Sequence, residues 1–151
     1  MKVTSYKHNW IDDCPEHPLL DGVVDAIESA KFIPRRKSAA QMKGEVLKHL
    51  QMLGWAGEVE IDSTSGITIT SIKGRTGLCF QTGNMARMYA DLLKLQAVFA
   101  KRVIDDGTMI IPTKSCAKIL GSNIANFERL THELKIFKAV VTMPLLVIGV
   151  S

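Results

Sequence analysis

Long hydrophobic runs are missing from this chain: no apolar stretch approaches the roughly 20 residues that span a bilayer, so no membrane segment is expected. Cysteine is scarce, with only Cys14, Cys79 and Cys116. An odd number without metal-ligand spacing excludes both a closed disulfide framework and a zinc ribbon. The opening residues 1–10 carry no hydrophobic stretch followed by small residues, so export is not expected and reduced thiols in a cytoplasm are the simple setting. Internal repeats and low-complexity segments are absent, which excludes solenoids. The histidines (His8, His17, His49, His132) form no recognisable ligand set. What remains is ordinary for one hydrophobic core: 151 residues, 46% hydrophobic and 23% charged, consistent with a single domain over 1–151. The net charge of +4 is compatible with a nucleic-acid partner without requiring one.

Periodicity then divides the chain. A short strand is expected from Val3 to Tyr6, followed by a polar turn ending at Pro15 and Pro18. Leu19, Leu20, Val23, Val24, Ile27 and Ala30 make a helical stripe that Pro34 closes. The cluster Arg35-Arg36-Lys37 separates it from a second helix over residues 38–53, whose stripe is Met42, Val46, Leu47, Leu50 and Leu53, with Gly54 as its stop. That cluster reads either as a solvated loop or as a phosphate contact. Residues 58–62 and 67–72 alternate polar and apolar around a turn at 63–66, and a further turn at 73–75 leads into a third strand over 77–81. Together these predict an antiparallel meander. Gly83 and Asn84 then break the chain and open a helix of about twenty residues, whose Met85, Met88, Leu92 and Leu95 make a stripe suited to core or dimer packing. A buried strand at 109–112, short helices at 114–120 and 126–137, and a last strand over 139–150 interrupted by Pro144 complete the order. A mixed α/β sheet flanked by helices accommodates all of it.

The stretch from Lys73 through Gln81 to Asn84, with strand, turn, strand and helix in that order, resembles the BglII and BstYI type of restriction endonuclease within the PD-(D/E)xK superfamily. Those enzymes carry Glu-x-Gln where their relatives carry Glu-x-Lys, and Gln81 matches that glutamine. The similarity continues through residues 89–94, the strand at 109–112, residues 122–128 and the closing 144–149, with residues 41–44 and 53–55 as looser anchors. The resemblance implies a restriction-endonuclease-like fold, double-stranded DNA as partner, a two-fold homodimer and, in an active member, Mg²⁺ held by two carboxylates.

Here the carboxylates are replaced. Cys79 occupies the glutamate position and Thr70, nine residues earlier, the aspartate position. Neither a thiol nor a hydroxyl substitutes for a carboxylate on a hard cation. No cofactor is therefore expected, and Mg²⁺ only if the protein is active. Glu58, Glu60 and Asp62 lie on the preceding strand. With 63–66 as the turn, Asp62 faces Ile67 and Val59 faces Thr70, which turns these acids away from Thr70; a one-residue shift would bring Glu60 in as a relocated acid. Glu45 on the second helix is a further acid within the same half of the chain. Cys79 as a nucleophile has no neighbouring histidine to activate it, so a buried apolar cysteine is the favoured reading.

Contacts to DNA are expected from Asn84, read either as a base contact or as a helix N-cap, and from Ser122, Asn123 and Asn126, read either as base contacts or as turn and cap. Lys73, Arg75, Arg87, Lys114 and Lys118 are candidates for phosphates. The expected function is DNA binding on a catalytically impaired nuclease scaffold, in a setting such as phage–host conflict. The alternatives are a working Mg²⁺-dependent endonuclease and a protein-interaction module or inhibitor.

Overall fold

In a computed structural model, residues 1–10 and 18–151 are described. The turn expected through Pro15, together with Cys14 and His17, lies outside them. The elements run β1 (Val3–His8), α1 (Pro18–Ser29), α2 (Ala39–Met52), β2 (Val59–Asp62), β3 (Ile67–Ile69), β4 (Ser71–Lys73), β5 (Thr76–Phe80), α3 (Met85–Ala100), β6 (Asp106–Pro112), α4 (Lys114–Leu120), α5 (Phe127–Ile136) and β7 (Leu145–Val150). Five strands form a mixed sheet in the order β1-β7-β6-β5-β4, while β2 and β3 pair as a separate ribbon. Strands β5, β6 and β7 are parallel to one another, and β1 and β4 run antiparallel at the two edges.

The three parallel strands are buried along their whole length, because helices cover both faces of the sheet. Side chains of a strand alternate between faces, and the two halves of the core follow that alternation. On one face Leu78, Phe80, Ile110 and Ile148 meet Val23 and Ile27 of α1 and Met42, Val46 and Leu50 of α2. On the other, Cys79, Met109, Ile111 and Val147 meet Met88, Leu92 and Leu95 of α3 and Leu130 and Leu134 of α5. The stripes read from the sequence for α2 and α3 supply these packing faces, except at Leu53, which caps α2 and is exposed. Gly149 marks the closest approach, since a Cβ there would lie 2.7 Å from Thr4 Cγ2 and 2.8 Å from the Phe127 ring. Among the described residues no helix is long and apolar enough to cross a membrane.

Three expectations are corrected. The continuous strand over 67–72 is split at Thr70, so the meander becomes two ribbons: Ile67–Ile69 pairs with β2, and Ser71–Lys73 joins the main sheet against β5. The Thr70 hydroxyl accepts the Phe80 N–H at 3.1 Å, and the Ser71 hydroxyl donates to the Ala56 carbonyl at 2.7 Å. Side-chain oxygens thus bond backbone groups across the break. The register also differs, because an irregularity between Glu60 and Asp62 places Val59 opposite Ile69 and Glu60 opposite Thr68, while Asp62 faces Ile67 as expected. The last strand begins only at Leu145, after a turn in which the Val140 and Val141 amides donate to the Phe137 carbonyl.

Candidate functional site

A cavity of about 590 Å³ opens where β5 ends. Its walls are the start of α2 (Ala39, Ala40, Lys43), the β2–β3 ribbon with its flanks (Glu58, Thr68, Thr70), the β5–α3 turn (Gln81, Thr82, Gly83) and one face of α3 (Arg87, Ala90, Asp91, Lys94). Crevices at the carboxyl ends of parallel strands are where open α/β sheets place ligands, because the connections diverge there.

Gln81 is fixed at the floor. Its Oε1 accepts the Gly83 N–H at 2.6 Å and its Nε2 donates to Asp91 Oδ2 at 2.5 Å. Asp91 Oδ1 in turn accepts from Lys94 Nζ at 3.1 Å, a pair mostly withdrawn from solvent. Both ends of the amide are thereby engaged, and its orientation follows from its partners. A Cβ at Gly83 would lie 2.8 Å from Gln81 Oε1 and 2.9 Å from Arg87 Cδ, so both side chains would have to shift.

The two positions that the sequence resemblance assigns to acids sit beside this floor. Thr70 lines the cavity, and its hydroxyl takes the Phe80 amide. Cys79, on the adjacent strand, is 1% exposed and packs among Ile69, Met88 and Leu92. Burial, and after it the negative charge of Asp91, pushes its thiol up to about 12. It stays protonated, a small apolar side chain and not a nucleophile.

Glu60 is exposed and shares the Thr68 side of the ribbon, yet the acids that line the cavity are Glu58 and Asp91. Glu58 accepts the Thr68 hydroxyl at 2.5 Å. Asp62 is turned to the ribbon's own turn, where the Thr64 amide and the Ser65 and Thr64 hydroxyls hold its carboxyl below the usual range. Glu45 pairs with Lys48 on α2 and does not line the cavity.

Of the residues expected to meet DNA, Arg87 lines the cavity, and Asn84 stands at its edge as the N-cap of α3, accepting the Arg87 amide at 3.0 Å. Asn126 caps α5 in the same way through the Arg129 amide at 3.1 Å. The exposed Ser122 and Asn123 belong to the same rim, because the Ala125 amide donates to the Gly83 carbonyl at 2.8 Å. Lys114 and Lys118 are exposed on α4. Lys73 and Arg75 lie at the opposite end of β5. There Lys73 donates to the Leu53 carbonyl, and Arg75 bonds both Asp105 carboxylate oxygens and the Arg102 carbonyl. The structure does not bring these two to the cavity.

Sequence reasoning missed Lys43, Asp91 and Lys94 as site residues and passed over Glu58 for Glu60. A signal existed for α3: Arg87, Asp91 and Lys94 follow at spacings of four and three, a polar stripe beside the Met88–Leu92–Leu95 core stripe.

A scan against protein-family models matches residues 18–150 to the restriction endonuclease BglII/BglIII family. The chain belongs to that family. Among solved structures it is similar to restriction endonuclease BglII complexed with a DNA 16-mer, at a TM-score of 0.85 and 12% identity, covering 100% of this chain and 78% of that one. Free BglII matches at a TM-score of 0.74 and 13% identity, covering 100% of this chain and 80% of that one. No curated protein matches. The mixed sheet with its flanking helices is therefore the BglII fold.

The family implies Mg²⁺, and the donors at the positions that the sequence resemblance assigns to its ligands do not fit it. A hard dication takes carboxylate and carbonyl oxygens in a near-octahedral set. Thr70 offers a neutral hydroxyl and Cys79 a buried, protonated thiol, while the Asp91 carboxylate is occupied by Gln81 and Lys94. Among the described residues no group of three His, Cys, Asp or Glu is placed to share a cation.

Proposed function

We propose that this restriction-endonuclease-like protein binds double-stranded DNA and does not cut it by the metal chemistry of its family. The observation that carries the reading is the remade floor of the cavity. A buried thiol and an engaged hydroxyl stand where carboxylates belong, while the glutamine and a cationic rim of Lys43, Arg87 and Lys94 are present. BglII itself has been crystallised with a DNA 16-mer, and this chain shares its fold. Lys94 is offset by Asp91, which leaves Lys43 and Arg87 free to meet phosphate among the described residues. A biological setting such as phage–host conflict and a two-fold dimer belong to the same proposal, resting on family likeness alone.

Glu58 supports a second reading. It lines the cavity beside Thr70, so one relocated carboxylate is available to an active endonuclease. A single assay separates the two. Mixed-sequence duplex DNA is incubated with the protein, with and without Mg²⁺ or Mn²⁺, and both cleavage and retardation are followed across salt concentrations. Binding that weakens with salt and leaves the DNA intact supports the first reading. Metal-dependent cutting that disappears in Glu58→Gln establishes the second. Absence of retardation at low salt removes DNA altogether and favours a protein-interaction role.

A further inference from the structure

The cluster Arg35-Arg36-Lys37 lies outside the cavity, yet the fold carries it to the cavity's edge. Ala39 and Ala40, directly after it, already line the cavity wall. On its other side the Lys37 amide donates to the Leu120 carbonyl at 2.9 Å, which docks the loop on the end of α4. From there the chain leads into the rim that carries Ser122 and Asn123 and bonds Gly83. The loop is also held internally: the Ser38 hydroxyl donates to the Arg35 carbonyl at 2.6 Å and accepts the Arg35 amide at 2.9 Å.

All three cations are exposed, and among the described residues none has an acidic partner. Three adjacent like charges repel one another, and Lys37 additionally holds a left-handed backbone at φ 64°, a conformation that disfavours a long side chain. A fixed, unneutralised cationic ridge is matched to a polyanion whose charges repeat along a line.

We infer that Arg35, Arg36 and Lys37 form a phosphate-binding wing that extends the DNA contact beyond the cavity along the end of the sheet. The inference rests on the DNA-binding reading above. The wing contributes affinity without sequence preference, because phosphate contacts carry no base information.

The test compares the full chain with Arg35→Gln/Arg36→Gln/Lys37→Asn, asparagine being tolerant of the left-handed position. A control, Lys7→Gln/Lys135→Gln/Lys138→Gln, removes as much charge from residues that do not line the cavity. Binding to a mixed-sequence duplex is measured over a range of salt. Loss of three phosphate contacts flattens the log–log salt slope by about 2.7, so between roughly 50 and 200 mM salt the wild type loses about 40-fold more affinity than the wing variant. The control should keep most of the wild-type slope. A wing variant with the wild-type slope, or a control that flattens equally, overturns the wing while leaving DNA binding intact. A wild type that binds no duplex overturns the wing together with the DNA-binding reading.

Discussion

Replacing Cys79 by glutamate puts an acid where the resemblance to the family implies one, and the structure sets what that costs. Position 79 is 1% exposed and faces the charge of Asp91. The thiol there is held at about 12 against an ordinary 9.0, a bias against negative charge of about 4 kcal/mol. A glutamate at the same point inherits a bias of that order, so in the folded protein it keeps its proton up to about pH 7. Below about pH 4 the carboxyl is protonated in both folded and unfolded chains, and Cys79→Glu costs only overpacking, about 1–3 kcal/mol. As pH rises the unfolded chain ionises first. Stability relative to wild type then falls by about 1.4 kcal/mol per pH unit until the folded carboxyl also ionises, after which the difference is constant. For a domain of this size the loss between about pH 4 and 7.5 corresponds to roughly 8–16 °C in Tm. Thermal unfolding followed by circular dichroism, variant against wild type over that range, measures it. Adding Asp91→Asn should recover part of the pH-dependent loss. A difference that is flat with pH would refute the description of position 79 as a buried site biased against charge. In Thr70→Asp/Cys79→Glu, two carboxylates share the site, and about 10 mM Mn²⁺ bound with about 1 mM affinity should raise Tm by roughly 3–6 °C. The single variant should respond less.

Asn84→Asp keeps the α3 cap and should leave stability within a few tenths of a kcal/mol, whereas Asn84→Ala should lose about 1 kcal/mol; urea unfolding checks both. If Asn84→Asp also leaves DNA binding unchanged, the residue is a cap and not a base contact. Gln81→Leu strips the Gly83 amide and the Asp91 carboxylate of a partner at the cavity floor and should cost about 1–3 kcal/mol in the same assay. A neutral outcome would mean that water replaces both bonds. Gly149→Ala drives a methyl into Thr4 and Phe127 and should destabilise by about 1–3 kcal/mol, with a loss confined to the unfolding midpoint and DNA binding intact at low temperature.

Local pattern was enough for much of this protein. The α2 and α3 stripes, the turn at 63–66, the caps at Asn84 and Asn126 and the strand ending at Pro112 are each set by interactions a few residues apart, and they read directly from the chain. The absence of acids at positions 70 and 79 is likewise a sequence fact, legible once Gln81 and its flanks are compared with the family. Tertiary structure decided the rest. The Thr70 hydroxyl takes the amide of Phe80 at the break, and the irregularity near Ile61 shifts Val59 and Glu60 by one residue against β3, so neither follows from alternation within a single strand. Glu58 lines the cavity, while Glu60, the acid that a one-residue shift was to bring in, is not among its walls. Asp91 meets Gln81 only because α3 folds back across the strand that precedes it. Side-chain chemistry belongs to the sequence, but the meeting of two side chains belongs to the packing that brings their elements together.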